Sequence, residues 1–419
     1  MKRLIFSALY ELRRHPLVGS ITILATAFAI FLIMIVVMMD NVENTAMPPE
    51  TNRDRLAFGI SLHVSLGDGE DQSSSPNYAT ARRFYSGLEG VEIETFFSRT
   101  VRSAIEAQDK APVMGDYRNT DAAYFKVFDH TFVAGRPYTS EEVESAVRLA
   151  VITETIADRL YGSPENALGK EILVSKNPFK VVGVVKDPSS LANFGASDVF
   201  IRLREKTNES DLDFGNAYVA MKMRDGVTIE QLRSQVEQRY EKANIGLDTL
   251  GIKLLYHQQP FDYKQAVSTT ATNVDPESGM DQSAVILVLL LLVPAINLSS
   301  TTRSRMRSRV SEIGVRRAFG CTRPRIFLDL FAENFVITLI GSAIGLVFAV
   351  CFGYFFADAV FRPEYASGDS FSLPFTMIFN LKVFGWALFY CFILNLVSTS
   401  IPAWKAARVS PVEAINKKK

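Results

Sequence analysis

Eight arginines crowd the stretch from Arg303 to Phe327, RSRMRSRVSEIGVRRAFGCTRPRIF, with no lysine and a single acid, Glu312. A guanidinium presents a planar fork of donors that binds carboxylate or phosphate through paired, charge-assisted hydrogen bonds. Two uses fit such a run. Anionic lipid headgroups would hold the alternating Arg303, Arg305, Arg307 and Arg309 against a membrane surface. An acidic protein partner would want something more ordered. Glu312 to Phe319 supplies it: helix-forming residues in a mixed pattern, closed by Gly320 in the position of a helix C-cap. The spacing predicts a helix from about Ser304 to Phe319, with Gly314 permitting close backbone approach.

Other chemistry has little support. The Gly169-Lys170 pair is followed by Glu171 rather than Ser or Thr, and the upstream glycines are wrongly spaced for a phosphate-cradling loop. Nucleotide hydrolysis is therefore expected on another polypeptide. Neither HExxH nor GxSxG occurs. His15, His63, His130 and His257 are scattered without metal-ligand spacing, and the acids are spread evenly. No catalytic, cofactor or metal site is expected, and nothing points to nucleic acid.

The elements around the arginine run are apolar. Four segments reach the roughly 20 residues that a bilayer span needs: 17–39, 283–302, 331–357 and 383–404. A short loop this basic, 303–330, belongs on the cytoplasmic side. The N-terminal segment 1–16 (Lys2, Arg3, Arg13, Arg14) and the tail 405–419 (Lys405, Arg408, Lys417 to Lys419) join it there. Segment 1–16 also has an apolar face, Leu4, Ile5, Ala8, Leu9 and Leu12, suited to the inner membrane surface. Region 40–282 and a hairpin at 358–382 then lie outside. Region 40–282 holds 26 basic and 37 acidic residues, a net of −11, although the whole chain is neutral. The first span reads as a retained anchor rather than a signal peptide, being too long for one and lacking a small-x-small site. Within the third span, Gly341-x-x-x-Gly345 would admit a second helix, although filler glycine has the same spacing. Pro294 is a candidate kink in the second span. Glu333, at the inner end of the third, is expected to meet an arginine of the basic loop or to reach the interface.

Cys321, Cys351 and Cys391 all fall in the basic loop or the spans, so the outer region must hold together without disulfides. That region reads α+β. SLHVSL, VEIETFFS, NAYVAMKM and GIKLLYH are strand candidates, and Tyr78 to Leu88 and Thr228 to Ala243 are helix candidates, forming two β-α-β units. Between them, about 95–208, lies a strand-rich insertion whose KEILVSKNPFKVVGVVKD reads as a hairpin turning at Asn177-Pro178. Gly67 to Pro76 and Thr269 to Asp281 read as polar loops. The fold class is thus an α-helical membrane protein with four transmembrane helices plus a large α+β extracytoplasmic domain of two lobes.

EIGVRRAFGCTRPRIF running into FAENFVITLIGSAIGL resembles the FtsX/MacB-type permeases of ABC transporters, whose shared pattern is E-I-G-x-R-R-A-x-G-x-[ST]-R-x-x-I before a span with an inner Glu. The matching residues are Glu312, Ile313, Gly314, Arg316, Arg317, Ala318, Gly320, Thr322, Arg323, Ile326 and Glu333; Pro324 stands where the family usually has arginine or an acidic residue, which bears on helix continuity there. IPAWKAARVSPVEAI is similar to the family's C-terminal motif at Pro402, Ala403, Ala406, Ala407, Arg408, Pro411, Glu413 and Ala414. YFKVFDHTFVAGRPYT, AVITETIADRLYG, LGKEILV and FKVVGVVKD resemble the MacB-like periplasmic core domain, without the fused ATPase domain of MacB itself. The resemblance implies mechanotransmission in the bacterial inner membrane. Cytoplasmic ABC ATPase subunits, holding ATP and Mg, would dock against the helix between spans two and three. Arg309, Glu312, Gly314, Arg316, Arg317, Gly320 and Arg323 would form the coupling segment. A second permease copy or paralogue would complete a dimer, with a periplasmic adaptor and an outer-membrane channel as further partners. Export or extraction of a periplasmic substrate is the implied function. An FtsX-like regulator of a cell-wall hydrolase and a membrane-anchored peptide sensor are the alternatives.

Overall fold

The computed structural model describes residues 16–66, 71–108, 110–145, 147–189, 191–203, 213–247, 251–272, 315–316, 318–361, 384–386, 388–389 and 392–393. In chain order the elements begin with α1 (Pro16–Asn44), a 3-10 turn (Arg53–Arg55), β1 (Leu56–Gly59), β2 (Leu62–Ser65), β3 (Asp71–Ser74), α2 (Tyr78–Tyr85) and β4 (Val91–Ser98). There follow β5 (Val101–Ala107), β6 (Val113–Thr120), α3 (Tyr124–Val127), β7 (Phe132–Gly135), α4 (Ser140–Glu144), β8 (Leu149–Thr153), α5 (Glu154–Tyr161), α6 (Pro164–Ala167), β9 (Glu171–Val174), β10 (Asn177–Val185) and β11 (Val199–Arg202). The last are β12 (Ala217–Met223), α7 (Ile229–Leu247), β13 (Lys253–Leu255), α8 (Tyr263–Thr272) and α9 (Arg323–Phe361). Two compact units emerge: Met1–Glu43 with Gly279–Phe361 and Ser372–Lys419, and Asn44–Ser278 with Arg362–Phe371.

In the first unit, α1 and α9 pack on each other. Ile30, Ile33, Met34 and Ala349 are buried together, with Phe31 set edge-on to Phe352 at 5.4 Å. The two glycines of the expected close-approach spacing lie at this contact. A Cβ on Gly341 would stand 2.8 Å from Thr26 Cβ, and one on Gly345 would stand 2.4 Å from the Ala27 carbonyl oxygen. Phe335–Phe356, inside α9, is the one stretch among the described residues long and apolar enough to cross a membrane. Ile23–Val36 in α1 is a shorter apolar stretch. The expected span 283–302 lies outside the described residues. Of 383–404, only 384–386, 388–389 and 392–393 are described, all helical. Both described helices overrun the expected spans: α1 continues to Asn44 rather than stopping at 39, and α9 starts at Arg323 rather than 331. Hydropathy marks the apolar part of a helix, and nothing at either end breaks the backbone ladder where the apolar run stops.

The second unit has two lobes. Six strands form a closed ring, with β5 paired to β6, β6 to β11, β11 to β8, β8 to β10, β10 to β9, and β9 back to β5. All six strands feed one core, among them Ile105, Val113, Val199, Ile152, Val184 and Ile172, as expected inside a small barrel. Helix α5 contributes Ile156 and Leu160 to the same core. β6 also touches β4 at the single pair Phe97↔Thr120, and from there the sheet continues through β12 to β1. That second lobe packs α2 and α7 over Val219 and Met221 of β12. Between the lobes lies a third core rich in aromatic rings, including Phe58, Phe97, Tyr124, Phe128, Phe194 and Phe200.

Three expectations need correction. The β-α-β units are split between sheets: β4 and β12 belong to the large sheet, whereas β2 and β13 form a separate small sheet with β3. Alternation in sequence cannot tell which sheet a strand will join. The β9–β10 hairpin turns at Ser175-Lys176, both at positive φ (49° and 64°), while Asn177 and Pro178 are paired with Val174 and Leu173. Two consecutive left-handed residues match the twist of a tight hairpin, and Asn-Pro lies one step downstream of that turn. Finally, both expected polar loops are partly regular: Asp71–Ser74 is edge strand β3, paired with Leu62 to Ser65, and residues 269–272 form the last turn of α8.

Candidate functional site

The described part of the arginine run is Val315, Arg316 and Ala318 onward. Val315, Arg316 and Ala318 are helical, and the helix ends at once. The Phe319 N–H donates to the Val315 carbonyl at 3.1 Å, and the Cys321 N–H donates to the Arg316 carbonyl at 3.0 Å. Gly320 between them has φ 88°. A six-to-one bond closing over a left-handed glycine is the Schellman ending, which satisfies carbonyls that the helix leaves unpaired. A side chain at position 320 would be strained in that conformation.

A new helix begins two residues later. The Thr322 carbonyl accepts from the Ile326 N–H at 3.2 Å, so Thr322 occupies the N-cap position of α9. Pro324 then sits in the first turn, where a missing N–H costs nothing because it would have no acceptor within the helix. The segment Gly320-Cys321-Thr322 is therefore a stop followed by a start. Pro324 is compatible with both.

Of the expected coupling residues, Arg316 is exposed on the short helix, Gly320 forms its ending, and Arg323 opens α9. Arg309, Glu312, Gly314 and Arg317 lie outside the described residues, as do Pro402, Arg408, Pro411 and Glu413. Glu333 is within α9, but its side chain, like that of Arg323, lies outside what is described. Two apolar side chains join the site. Val315 is 47% exposed and Phe319 is 88% exposed, four residues apart and hence on one helical face. The i, i+4 spacing is legible in the sequence, but two apolar residues amid eight arginines carry no signal of their own.

No group of three or more His, Cys, Asp or Glu side chains converges among the described residues. The structure does bring together two histidines that the sequence left apart. His63 on β2 and His257 just after β13 lie with ring centroids 4.1 Å apart, because Leu255 pairs with His63 across the small sheet. Pairing of strands nearly the whole unit apart leaves no trace in local spacing.

Comparison with known proteins covers both units. The model of the family described as MacB-like periplasmic core domain matches residues 20–239, and that of the FtsX-like permease C-terminal family matches residues 284–411. The chain is 22% identical over 370 residues to the uncharacterized ABC transporter permease YknZ of Bacillus subtilis, covering 85% of this chain and 84% of that one. It is 25% identical over 308 residues to the macrolide export ATP-binding/permease protein MacB of Burkholderia cenocepacia, covering 71% of this chain and 42% of that one. It thus spans less than half of that longer relative. Among solved structures, the periplasmic region of MacB from Actinobacillus actinomycetemcomitans aligns with TM-score 0.33 at 16% identity, over 51% of this chain and 94% of that one. The extracellular domain of YknZ aligns with TM-score 0.31 at 17% identity, over 46% of this chain and 99% of that one. The first family match alone takes in more than half of the chain, and the second takes in the arginine run and α9. This chain belongs to the FtsX/MacB-type permeases of ABC transporters, with a MacB-like periplasmic core domain joined to an FtsX-like permease region.

Proposed function

We propose that this permease transmits ATP-driven movement from a separate cytoplasmic ATPase to its periplasmic domain, for export or extraction of a periplasmic substrate. The observation that carries this reading is the continuity of α9. It runs unbroken for 39 residues from Arg323, beside the Gly320 turn, through the apolar stretch Phe335–Phe356. At 1.5 Å per residue such a rod is about 58 Å long. A push on the turn at its inner end is carried along it with little loss, since a helix resists compression and bending by its hydrogen-bond ladder. Arg316 offers a carboxylate-binding fork, and Phe319 an apolar anchor for the wall of a groove.

In this reading both termini and the arginine run face the cytoplasm, and ATP and Mg are bound by the partner. The ATPase subunits and a second permease copy complete the working complex, and an adaptor and an outer channel would extend it outward.

The test is ATPase activity of the chain reconstituted with its ATPase subunit. Reversing charge at Arg316 and Arg317 together, or changing Phe319→Ala, is expected to lower stimulation roughly tenfold or more, as for an interface hot spot. Reversing Arg303 and Arg305 should do much less. Equal loss from both arginine pairs would reduce the run to a generic basic patch and remove the coupling assignment.

A further inference from the structure

The chain enters the large unit at Asn44, and its last described segment there is α8. Both segments converge on one loop, the connection from β10 to β11. The Glu50 side chain is wholly buried and accepts the N–H groups of Phe194 and Gly195, each at 2.7 Å. Its other oxygen takes Arg53 Nε at 2.9 Å. Arg53, itself buried, donates to the Leu191 carbonyl at 2.7 Å and back to the Thr45 carbonyl at 2.7 Å. The Arg53 guanidinium also lies 4.1 Å over the ring of Tyr263, the first residue of α8. The Tyr263 hydroxyl donates to the Leu191 carbonyl at 3.3 Å and accepts from Asn193 Nδ2 at 3.2 Å.

The barrel lobe grips the same loop from its own side. Arg118 of β6 donates to the carbonyls of Phe194 and Asn193, and the Tyr124 hydroxyl donates to Phe194 at 2.7 Å. Backbone groups of an irregular buried loop must find partners somewhere. Here side chains from the entering segment, from α8 and from the barrel supply them. The Glu50–Arg53 pair is out of water, so breaking either partner leaves a charge and several backbone groups uncompensated.

We infer that Glu50 and Arg53 are positioning residues that lock the entering segment and α8 to the loop Leu191–Gly195, so that the barrel and both segments turn as one body. The purpose of the lock, delivering movement to the barrel, rests on the transmission reading above. The lock itself does not.

The experiment is a distance measurement by double electron–electron resonance on the full chain in lipid nanodiscs. Spin labels are attached at Glu165→Cys on α6 and Ser268→Cys on α8, both exposed, with Cys321, Cys351 and Cys391 replaced by alanine. The unaltered lock should give one narrow distribution. Glu50→Gln with Arg53→Met removes both charges while keeping shape, and should broaden the distribution or split it. Hydrogen exchange at β8, β10 and β11 checks that the barrel stays folded. If that variant fails to fold, Tyr263→Phe removes only a hydroxyl. It should speed exchange at the Phe194 and Gly195 amides and leave the barrel strands protected. A distribution that stays narrow in the folded double variant overturns the inference, as do loop amides that keep full protection in Tyr263→Phe. No ATPase is present in these measurements, so their failure leaves the coupling role of Arg316 and Arg317 standing, and the reverse also holds.

Discussion

His130 is packed among rings, 4.9 Å from Phe200, 5.6 Å from Phe125 and 5.7 Å from Tyr124. Neither ring nitrogen has a partner at full hydrogen-bond geometry among the described residues, and the neighbouring Gly195 backbone only partly offsets the burial. Burial, and then the charge of Arg118, push its pKa down to about 3 from the ordinary 6.5. The unfolded chain therefore binds a proton that the folded chain refuses, between pH 6.5 and 3. Stability from this site is fully present above 6.5 and falls as pH drops through that window. Lowering pH from 6.5 to 4.5 should cost about 2–3 kcal/mol at this residue alone. His130→Phe keeps the ring and removes the titration. Its unfolding midpoint should match or exceed that of the parent at pH 7 and exceed it clearly at pH 4.5; parallel acid sensitivity in the two proteins would contradict this. Local spacing carries no such warning, since a lone histidine between Asp129 and Thr131 reads equally as an ordinary surface or core residue. The Glu50–Arg53 pair was equally hidden. Its three-residue spacing is common, and the groups that give it meaning lie more than a hundred residues along the chain.

Elements were legible where periodicity had room to act. VEIETFFS coincides with β4, and the helix read at Thr228 to Ala243 is α7 with one further turn. Strands β1, β3 and β11 do not alternate, β1 and β11 being buried almost throughout and β3 exposed throughout, so only their neighbours in the sheets mark them. The glycine spacing in α9 shows the same division. The spacing fitted filler glycine as well as a close contact, and only the fold decides for the contact and supplies α1 as the partner. The two glycines are unequal in kind. A methyl at 341 would press on the Thr26 side chain, which has some freedom, whereas one at 345 would press on the backbone oxygen of Ala27, which has none. Gly345→Ala should therefore destabilise the α1–α9 contact by about 1–3 kcal/mol, in the range of overpacked cores, and Gly341→Ala by less. Thermal unfolding of the detergent-solubilised chain measures both. The reverse order, or no change at 345, would mean that the helices can slide apart at little cost.

At the scale of the whole molecule, the two units are built on different principles. In the unit Met1–Glu43 with Gly279–Phe361 and Ser372–Lys419, the described helices expose large apolar side chains, such as Leu24, Phe28, Val347 and Phe355, so water is a poor solvent for it. The large unit closes its own barrel and buries three cores whose described members all lie between Leu56 and Val267. Its irregular loop at Leu191–Gly195 is satisfied from inside the unit as well. A domain of this size buries enough apolar surface to fold by itself, and the absence of cysteine from 40–282 removes any need for oxidation. Residues 44–278, expressed without the apolar segments, should therefore form a soluble protein with cooperative thermal unfolding. Its midpoint should be the same with and without reductant. Glu50→Gln in that fragment should lower the midpoint, because it leaves Arg53 buried without its counter-charge, a loss of about 3–5 kcal/mol for a broken buried pair. Replacing both partners by Gln and Met should recover much of that loss. Aggregation of the parent fragment would mean that its core is completed by residues of the other unit, and independent folding would have to be given up.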